Sequence, residues 1–307
     1  VKRRTATGLW AGLWQHPTVE STRRIAPDRV AAALRIRLER IERVADAFAE
    51  AESAFATTRV GVQTGPNTTL TEWAVLTLNA ITGNVDRPGG VYWNPGAFDI
   101  PRLIERMSRR RNAAPARVGG YPQIFGGPPC AVFAEDVLSD APDRIRALVV
   151  VAGNPVISFP ATSRIEAALR KLELLVCVDI YPSDTCSFAH YALPAATLFE
   201  KGGLHFLTSN FEPKPFVEWK PRVLAPRGEA RSEWRIFKDL SRAARVPLLN
   251  DLWIERIARV VDRLGGDFDE SWLYRFLLRT GPGLGLKELQ KAPGGRVLGE
   301  IRFGEGL

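Results

Sequence analysis

Two stretches decide the fold: Ala147-Leu148-Val149-Val150-Val151 and Leu174-Leu175-Val176-Cys177-Val178-Asp179. Both are continuous apolar runs with no polar alternation. A strand covered on both faces has no side to show to water, and that is the condition of strands in a parallel sheet. Between the runs, residues 162–171 carry Ile165, Ala168 and Leu169 at helical spacing. Gly153-Asn154-Pro155 ends the first run, and Asp179 ends the second. A short helix over Asp184 to Phe188 then leads to a third, short strand, Tyr191-Ala192-Leu193. This βαβαβ rhythm predicts an α/β fold with doubly wound, mostly parallel sheets and flanking helices.

Upstream, Asp28 is placed to cap a first helical turn that continues from Val30 to Leu34. Leu38, Ile41, Val44, Ala45, Phe48 and Phe55 mark one face of an amphipathic helix ending near Ala56. Arg59-Val60-Gly61-Val62 reads as a short buried strand, and residues 63–67 as a turn. Thr68 or Thr69 caps a helix from Leu70 to Thr82, which Gly83-Asn84 stops. Residues 94–131, rich in Pro, Gly and Arg, read as a long irregular connection. Downstream, residues 200–230 read as a surface excursion. Ser232 caps a helix running to about Ala244, residues 252–279 are helical pieces, and the chain from Gly281 is loop-like.

The 307 residues are 45% apolar, with eight Trp and fifteen Phe, which supports a packed core and excludes wholesale disorder. The net charge of +8 admits an acidic cofactor, an anionic protein surface or a nucleic acid. The densest basic stretch, Arg102, Arg106 and Arg109 to Arg111, has no interleaved aromatics. It reads as a solvated basic face, and no nucleic-acid partner is expected. Cys130, Cys177 and Cys186 fit no zinc or iron–sulfur spacing, and Cys177 reads as a core thiol. His16, His190 and His205 are too scattered for a self-contained metal site. The sparse, odd cysteine count suits a reducing compartment, so a cytoplasmic location is expected. No apolar run is long enough to span a membrane. Lys2, Arg3 and Arg4 precede an apolar stretch, Gly8 to Trp14, too short for a secretory signal.

Ligands of parallel sheets sit beyond the carboxyl ends of the strands. Three loops are expected there: Gln63, Gly65 and Asn67 in the first, Gly153, Asn154 and Pro155 in the second, and Asp179 to Thr185 in the third. Each combines small residues, which let a ligand approach the backbone, with polar groups able to hold a base, ribose or phosphate. Ordinary turn chemistry is the competing reading of each. Neither G-x-G-x-x-G nor a P-loop is present, which disfavours NAD and ATP sites. His190 reads as a core histidine, Glu200 as a structural ion-pair partner, and no catalytic triad or metal ligand is identifiable.

Several blocks together resemble the molybdopterin oxidoreductase family, which includes formate dehydrogenases, nitrate reductases and dimethyl-sulfoxide reductase. Residues 78–90, LNAITGNVDRPGG, resemble its LNALTGN…RPGG segment. Ala152 to Pro155 resembles its GGNP loop. Residues 179–201, DIYPSDTCSFAHYALPAATLFEK, resemble its D-x-F-x-T-E-T-A…A-D-V-V-L-P-A-A…E stretch, with Cys186 in place of Ala and His190 in place of Asp. The helix ending Val44 to Ala51 matches the family's lead-in, and the ordered blocks cover residues 28–245.

The resemblance implies binding of molybdenum or tungsten through two pterin guanine dinucleotides, that is, bis(molybdopterin guanine dinucleotide), for two-electron redox of a small-molecule substrate. It implies that Gly153, Asn154, Pro155, Asp179 and Thr185 line one dinucleotide. Gln63, Gly65 and Asn67 would lie toward a pterin or the other dinucleotide. The family's N-terminal Cys cluster, its metal ligand and its C-terminal domain find no counterpart, so an internal segment is expected. Any iron–sulfur cluster would belong to an N-terminal part. The expected divisions are the end of one α/β cofactor-binding domain over 1–115, a dinucleotide-binding βαβαβ domain over 116–245, and a helical, loop-rich part over 246–307. Expected partners are the rest of the enzyme and an electron-transfer subunit. The alternative is a non-catalytic module that binds a nucleotide or pterin, or docks to a subunit.

Overall fold

A computed structural model describes residues 25–65, 67–98, 114–123, 127–205, 209–248, 252–301 and 303. The basic stretch around residue 110, His16 and the N-terminal arginines lie outside these residues. The chain divides into two compact units, one formed by residues 1–94 and 300–307 and the other by residues 95–299.

The first unit contains helices α1 (Pro27–Leu34), α2 (Leu38–Glu50), α3 (Val60–Gln63) and α4 (Thr68–Ile81). Two expectations about helix ends shift here. Ala26, not Asp28, caps α1, with Pro27 in its first turn. α2 ends at Glu50, and beyond it the backbone N–H groups of Ala54 and Ala56 donate to the side chains of Asn84 and Asn79 instead of continuing the helix.

The predicted strand over 59–62 is instead one turn of helix, α3, closed by Val62 N–H donating to the Arg59 carbonyl at 3.0 Å. Two valines are too few to fix a strand. A strand also needs a neighbour to satisfy its backbone, and none pairs with this segment among the described residues. Val60 is accordingly exposed at 69%. Nor do Thr68 and Thr69 cap α4: Asn67 stands at the cap in the left-handed region, φ 62°, where asparagine is tolerated.

The second unit is built on three parallel strands, β1 (Ala147–Val151), β2 (Leu174–Asp179) and β3 (Tyr191–Pro194), in the order β1-β2-β3. The register pairs Val149 with Val176 and Val176 with Tyr191. Helix α5 (Phe133–Leu138) precedes the sheet. The one-turn helix α6 (Pro155–Ser158) and α7 (Thr162–Lys171) connect β1 to β2.

The alternation within β2 shows why its sequence is apolar throughout. Leu175 and Cys177 face a core with Phe133, Val137, Ile165 and Leu169 from α5 and α7. Val176 and Val178 face the other way, against Ala195 and Ile236 of α8 (Glu233–Ala244). Helices therefore cover both faces, and the fold is α/β, the class that the apolar runs imply. Each fully buried Leu or Ile contributes about 1.5–3 kcal/mol. Lys171 Nζ donates to the Leu138 and Ser139 carbonyls at the end of α5, which ties α7 to α5.

Residues 200–230 are not a surface excursion. They hold β4 (Gly203–His205) and β5 (Phe216–Lys220), which pair antiparallel, and β5 also pairs with β6 (Arg296–Val297). The reason lies in β5 itself. Val217 and Trp219 alternate with Glu218 and Lys220, and Val217 is fully buried against Leu278, Leu286 and Leu289. Those leucines come from α10 (Glu270–Thr280) and α11 (Leu286–Gln290), which follow α9 (Leu252–Arg263). The tail beyond Gly281, expected as loop, thus supplies both a helix and a strand. No described helix is long and apolar enough to cross a membrane.

Candidate functional site at the ends of the parallel strands

Five of the residues singled out from sequence converge where β1 and β2 end. The chain leaves β1 through Ala152, a non-glycine residue at φ 48° whose N–H donates to the Val178 carbonyl at 2.9 Å. A left-handed alanine costs of order 1 kcal/mol, so the surrounding ladder enforces this turn. Gly153 follows. A Cβ built there would meet Val150 and Val151 atoms at 3.6 and 3.7 Å, ordinary packing distances, so this position is not sterically restricted to glycine.

Asn154 bridges the two strand-end loops. Its Oδ1 accepts from Thr185 Oγ1 at 2.8 Å and from Thr185 N–H at 3.3 Å, and its Nδ2 donates to Asp184 Oδ2 at 2.9 Å. Thr185 is fully buried, and its hydroxyl also accepts from Val156 N–H at 3.2 Å. Pro155 is buried at the first position of α6, where its missing N–H is no loss. Asn154, Pro155 and Thr185 therefore act on the scaffold: they tie the loop after β1 to the loop after β2.

Asp179 differs. Its Oδ1 accepts from Ile180 N–H at 2.7 Å, while its Oδ2 has no hydrogen-bond partner among the described residues. Ile180 and Tyr181, directly after it, are exposed at 56% and 65%. Sequence reading placed both, and Asp184, in the third loop without singling any of them out. A tyrosine after a strand end is the one available signal, since its polar tip and flat apolar ring suit a wet ligand site. A carboxylate oxygen without a partner among the described residues, a glycine backbone and an exposed ring are groups able to recognise a base or a ribose. A guanine dinucleotide fits this donor and acceptor set.

Gln63, Gly65 and Asn67 lie in the first unit, at the α3–α4 turn. Gly65 N–H donates to the Val62 carbonyl, and the Gly65 carbonyl accepts from Thr68 Oγ1 at 2.8 Å. Asn67 is exposed, and its carbonyl accepts from Thr71 N–H at 2.9 Å. This is a helix-to-helix turn, not the end of a strand.

The 78–90 block is spent on structure. Asn79, 1% exposed, accepts from Ala56 N–H and donates to the Ala56 carbonyl, both at 2.8 Å. Asn84 accepts from Ala54 N–H and donates to Thr82 Oγ1. Gly90 is required because a Cβ there would lie 2.3 Å from the Asn84 carbonyl oxygen.

The other polar candidates are also engaged. His190 is exposed, not a core residue, but its Nδ1 accepts from Leu175 N–H at 2.9 Å, at the start of β2. Glu200 is buried and accepts from Thr197 N–H, Thr197 Oγ1 and Arg227 N–H. The Thr197 bonds, then Arg227, hold its carboxyl below the ordinary range. Its partner is thus mainly backbone, not the ion pair expected. Burial pushes the Cys177 thiol up to about 12, with Cys186 beside it adding to the shift, so it is an inert core group. Among the described residues, no group of three or more His, Cys, Asp or Glu side chains is placed to hold a metal ion.

A family model described as molybdopterin oxidoreductase matches residues 33–243. A nitrate reductase of Synechocystis sp. is 27% identical over 238 residues, covering 70% of this chain and 32% of the relative. The alpha subunit of F420-dependent formate dehydrogenase 1 of Methanococcus maripaludis is 31% identical over 176 residues, covering 53% of this chain and 25% of the relative. The solved acetylene hydratase of Pelobacter acetylenicus superposes with a TM-score of 0.63 at 18% identity, over 89% of this chain and 39% of that one. This last likeness is one of fold. The chain spans a third or less of the length of these two curated relatives. With the model covering more than half of its residues, the chain belongs to the molybdopterin oxidoreductase family.

Proposed function

We propose that this chain contributes a dinucleotide-binding part of a molybdopterin-dependent oxidoreductase that acts on a small-molecule substrate. The observation that carries this reading is the convergence of Gly153, Asn154, Pro155, Asp179 and Thr185 at one sheet edge, inside the segment matched to the family. When bound, molybdenum or tungsten bis(molybdopterin guanine dinucleotide) supplies the two-electron chemistry.

This chain's residues bind and orient. Asp179 Oδ2 accepts from the guanine amine or a ribose hydroxyl. The Gly153 backbone, without a side chain, would lie against the ligand, and the exposed Tyr181 would offer a ring face. Asn154 and Thr185 lock the two loops at fixed separation, and Pro155 sets the turn. Gln63, Gly65 and Asn67 serve a pterin or the second dinucleotide. The net charge of +8 favours a ligand carrying several phosphates. In this reading the protein is cytoplasmic, and the metal ligand, any iron–sulfur cluster and an electron-transfer subunit belong to other parts of the assembly. The formate dehydrogenase and nitrate reductase names of the relatives support a redox role.

The test is cofactor content. The 307-residue chain and the protein as its natural gene expresses it are purified from cells making the cofactor. Molybdenum, tungsten and released guanine nucleotide are then counted per chain. The reading expects metal with guanine nucleotide in the natural protein, and marked loss in Asp179→Ala. A natural protein without metal or pterin would leave a non-catalytic binding module.

A further inference from the structure

A second candidate site lies well away in sequence from the strand-end residues, between α8 and α9. A groove of about 640 Å³ is lined by Arg235 and Arg242 of α8, Arg259 and Arg263 of α9, and Asp262 and Asp267. Arg235 and Arg242 are seven residues apart, about 10 Å along one helix face. An adjoining cavity of about 350 Å³ shares Arg242, Arg259 and Asp262, is lined with Val246, Leu248, Ala258 and Phe268, and has Lys238, Ser241, Arg245 and Glu255 as its other polar walls. A basic vestibule thus opens beside a compartment with an apolar wall.

The balance of donors and acceptors decides what the vestibule can take. Lys238 is 4% exposed and draws on both aspartates. The second oxygen of Asp262 meets Arg242, and that of Asp267 meets Arg235 at 3.1 Å. Both carboxylates are therefore committed on both oxygens. Lys238, then Arg235 and Arg242, hold the Asp267 carboxyl below its ordinary range. Each guanidinium has five N–H donors, of which these contacts use only one or two. Arg259 gives only its Nε to Glu255, and Arg263 has no ion pair or hydrogen bond among the described residues. Every carboxylate oxygen of Asp262 and Asp267 already faces a cation, while N–H donors on the four arginines remain.

We infer that the α8–α9 groove binds an amphiphilic anion, its phosphate, sulfonate or carboxylate at the four arginines and its apolar or aromatic body in the Val246–Phe268 compartment. Planar, forked arginines match such oxyanions in bidentate geometry, and a neighbouring apolar wall excludes water from the pairs. The site is independent of the strand-end site: it uses none of the same residues and requires no guanine.

The probe is anilinonaphthalene sulfonate, an aromatic sulfonate that fluoresces when its rings leave water, titrated into the 307-residue chain with inorganic pyrophosphate as competitor. Saturable binding that pyrophosphate displaces is expected. Arg263→Glu breaks no recorded contact and should weaken binding by about tenfold, the loss of one charge-assisted pair. Arg29→Glu on α1 changes net charge equally and should leave it unchanged. Ala258→Phe, which fills the apolar compartment, should abolish the fluorescence rise while pyrophosphate still binds. Equal weakening by Arg263→Glu and Arg29→Glu would show diffuse attraction to a basic protein and overturn the site. An unchanged signal in Ala258→Phe would overturn its amphiphilic character.

Discussion

The 78–90 block and the pair of strand-end loops are both family signatures, yet they spend their polar groups in opposite ways. In the first, Asn79 and Asn84 are 1% exposed, and their side chains are turned inward onto the 54–56 backbone. In the second, Asn154 and Thr185 are likewise consumed, tying the loop after β1 to the loop after β2, while Asp179 beside them keeps one carboxylate oxygen without a hydrogen-bond partner among the described residues. Recurrence of a motif therefore does not by itself mark a ligand contact. What distinguishes the two is whether any hydrogen-bonding capacity is left after the fold has taken its share.

The contrast breaks most visibly at Asn79. Asn79→Ala orphans the Ala56 N–H and carbonyl, and should cost about 2–4 kcal/mol in denaturant unfolding while leaving the β1–β3 sheet intact. Next comes Gly90→Ala, which forces a Cβ against the Asn84 carbonyl and should cost roughly 1–3 kcal/mol. Thr185→Val tests the bridge. It strands Val156 N–H and leaves Asn154 Oδ1 with the residue-185 N–H alone, so both stability and affinity for guanosine diphosphate should fall, the former by about 1–2 kcal/mol. Asp179→Asn sharpens the comparison from the other side. Stability should move by less than about 0.5 kcal/mol while guanosine diphosphate affinity drops about tenfold, since only a ligand contact is lost.

The smallest effect is on pH. The Glu200 carboxyl lies below its ordinary value in the folded chain. Its contribution is therefore full above the unfolded value and is lost as pH falls through the folded one. Glu200→Gln should flatten the fall in melting temperature on acidification below about pH 4.5, which a thermal melt at several pH values would show.

The same comparison explains how much was readable in advance. β1, α7 and β2 were legible almost to the residue, because a strand buried on both faces writes an unbroken apolar run. The serine at the start of α8 was legible because its side chain does cap, accepting from Arg235 N–H. The segment around Val60 was not, since two valines fit a strand or a helical turn equally and only a neighbouring strand could arbitrate. β5 was hidden differently: its Val217–Trp219 alternation is short, and its second partner, Val297, lies some eighty residues on. At the site, the sequence pointed to Gly153, Asn154 and Asp179, but it could not say which of these would still have a free valence. That depends on Thr185 and Asp184, thirty residues from Asn154 in the chain and in contact only once the sheet has formed.

The central claim, that the strand-end loops hold the guanosine end of the ligand while the 78–90 block is structural, is tested most directly by hydrogen–deuterium exchange. Exchange of the 307-residue chain is measured with and without guanosine diphosphate. The account predicts added protection at residues 152–157 and 179–185, with none at 78–90. Protection at 78–90 alone, or none in either strand-end loop at saturating nucleotide, would contradict it.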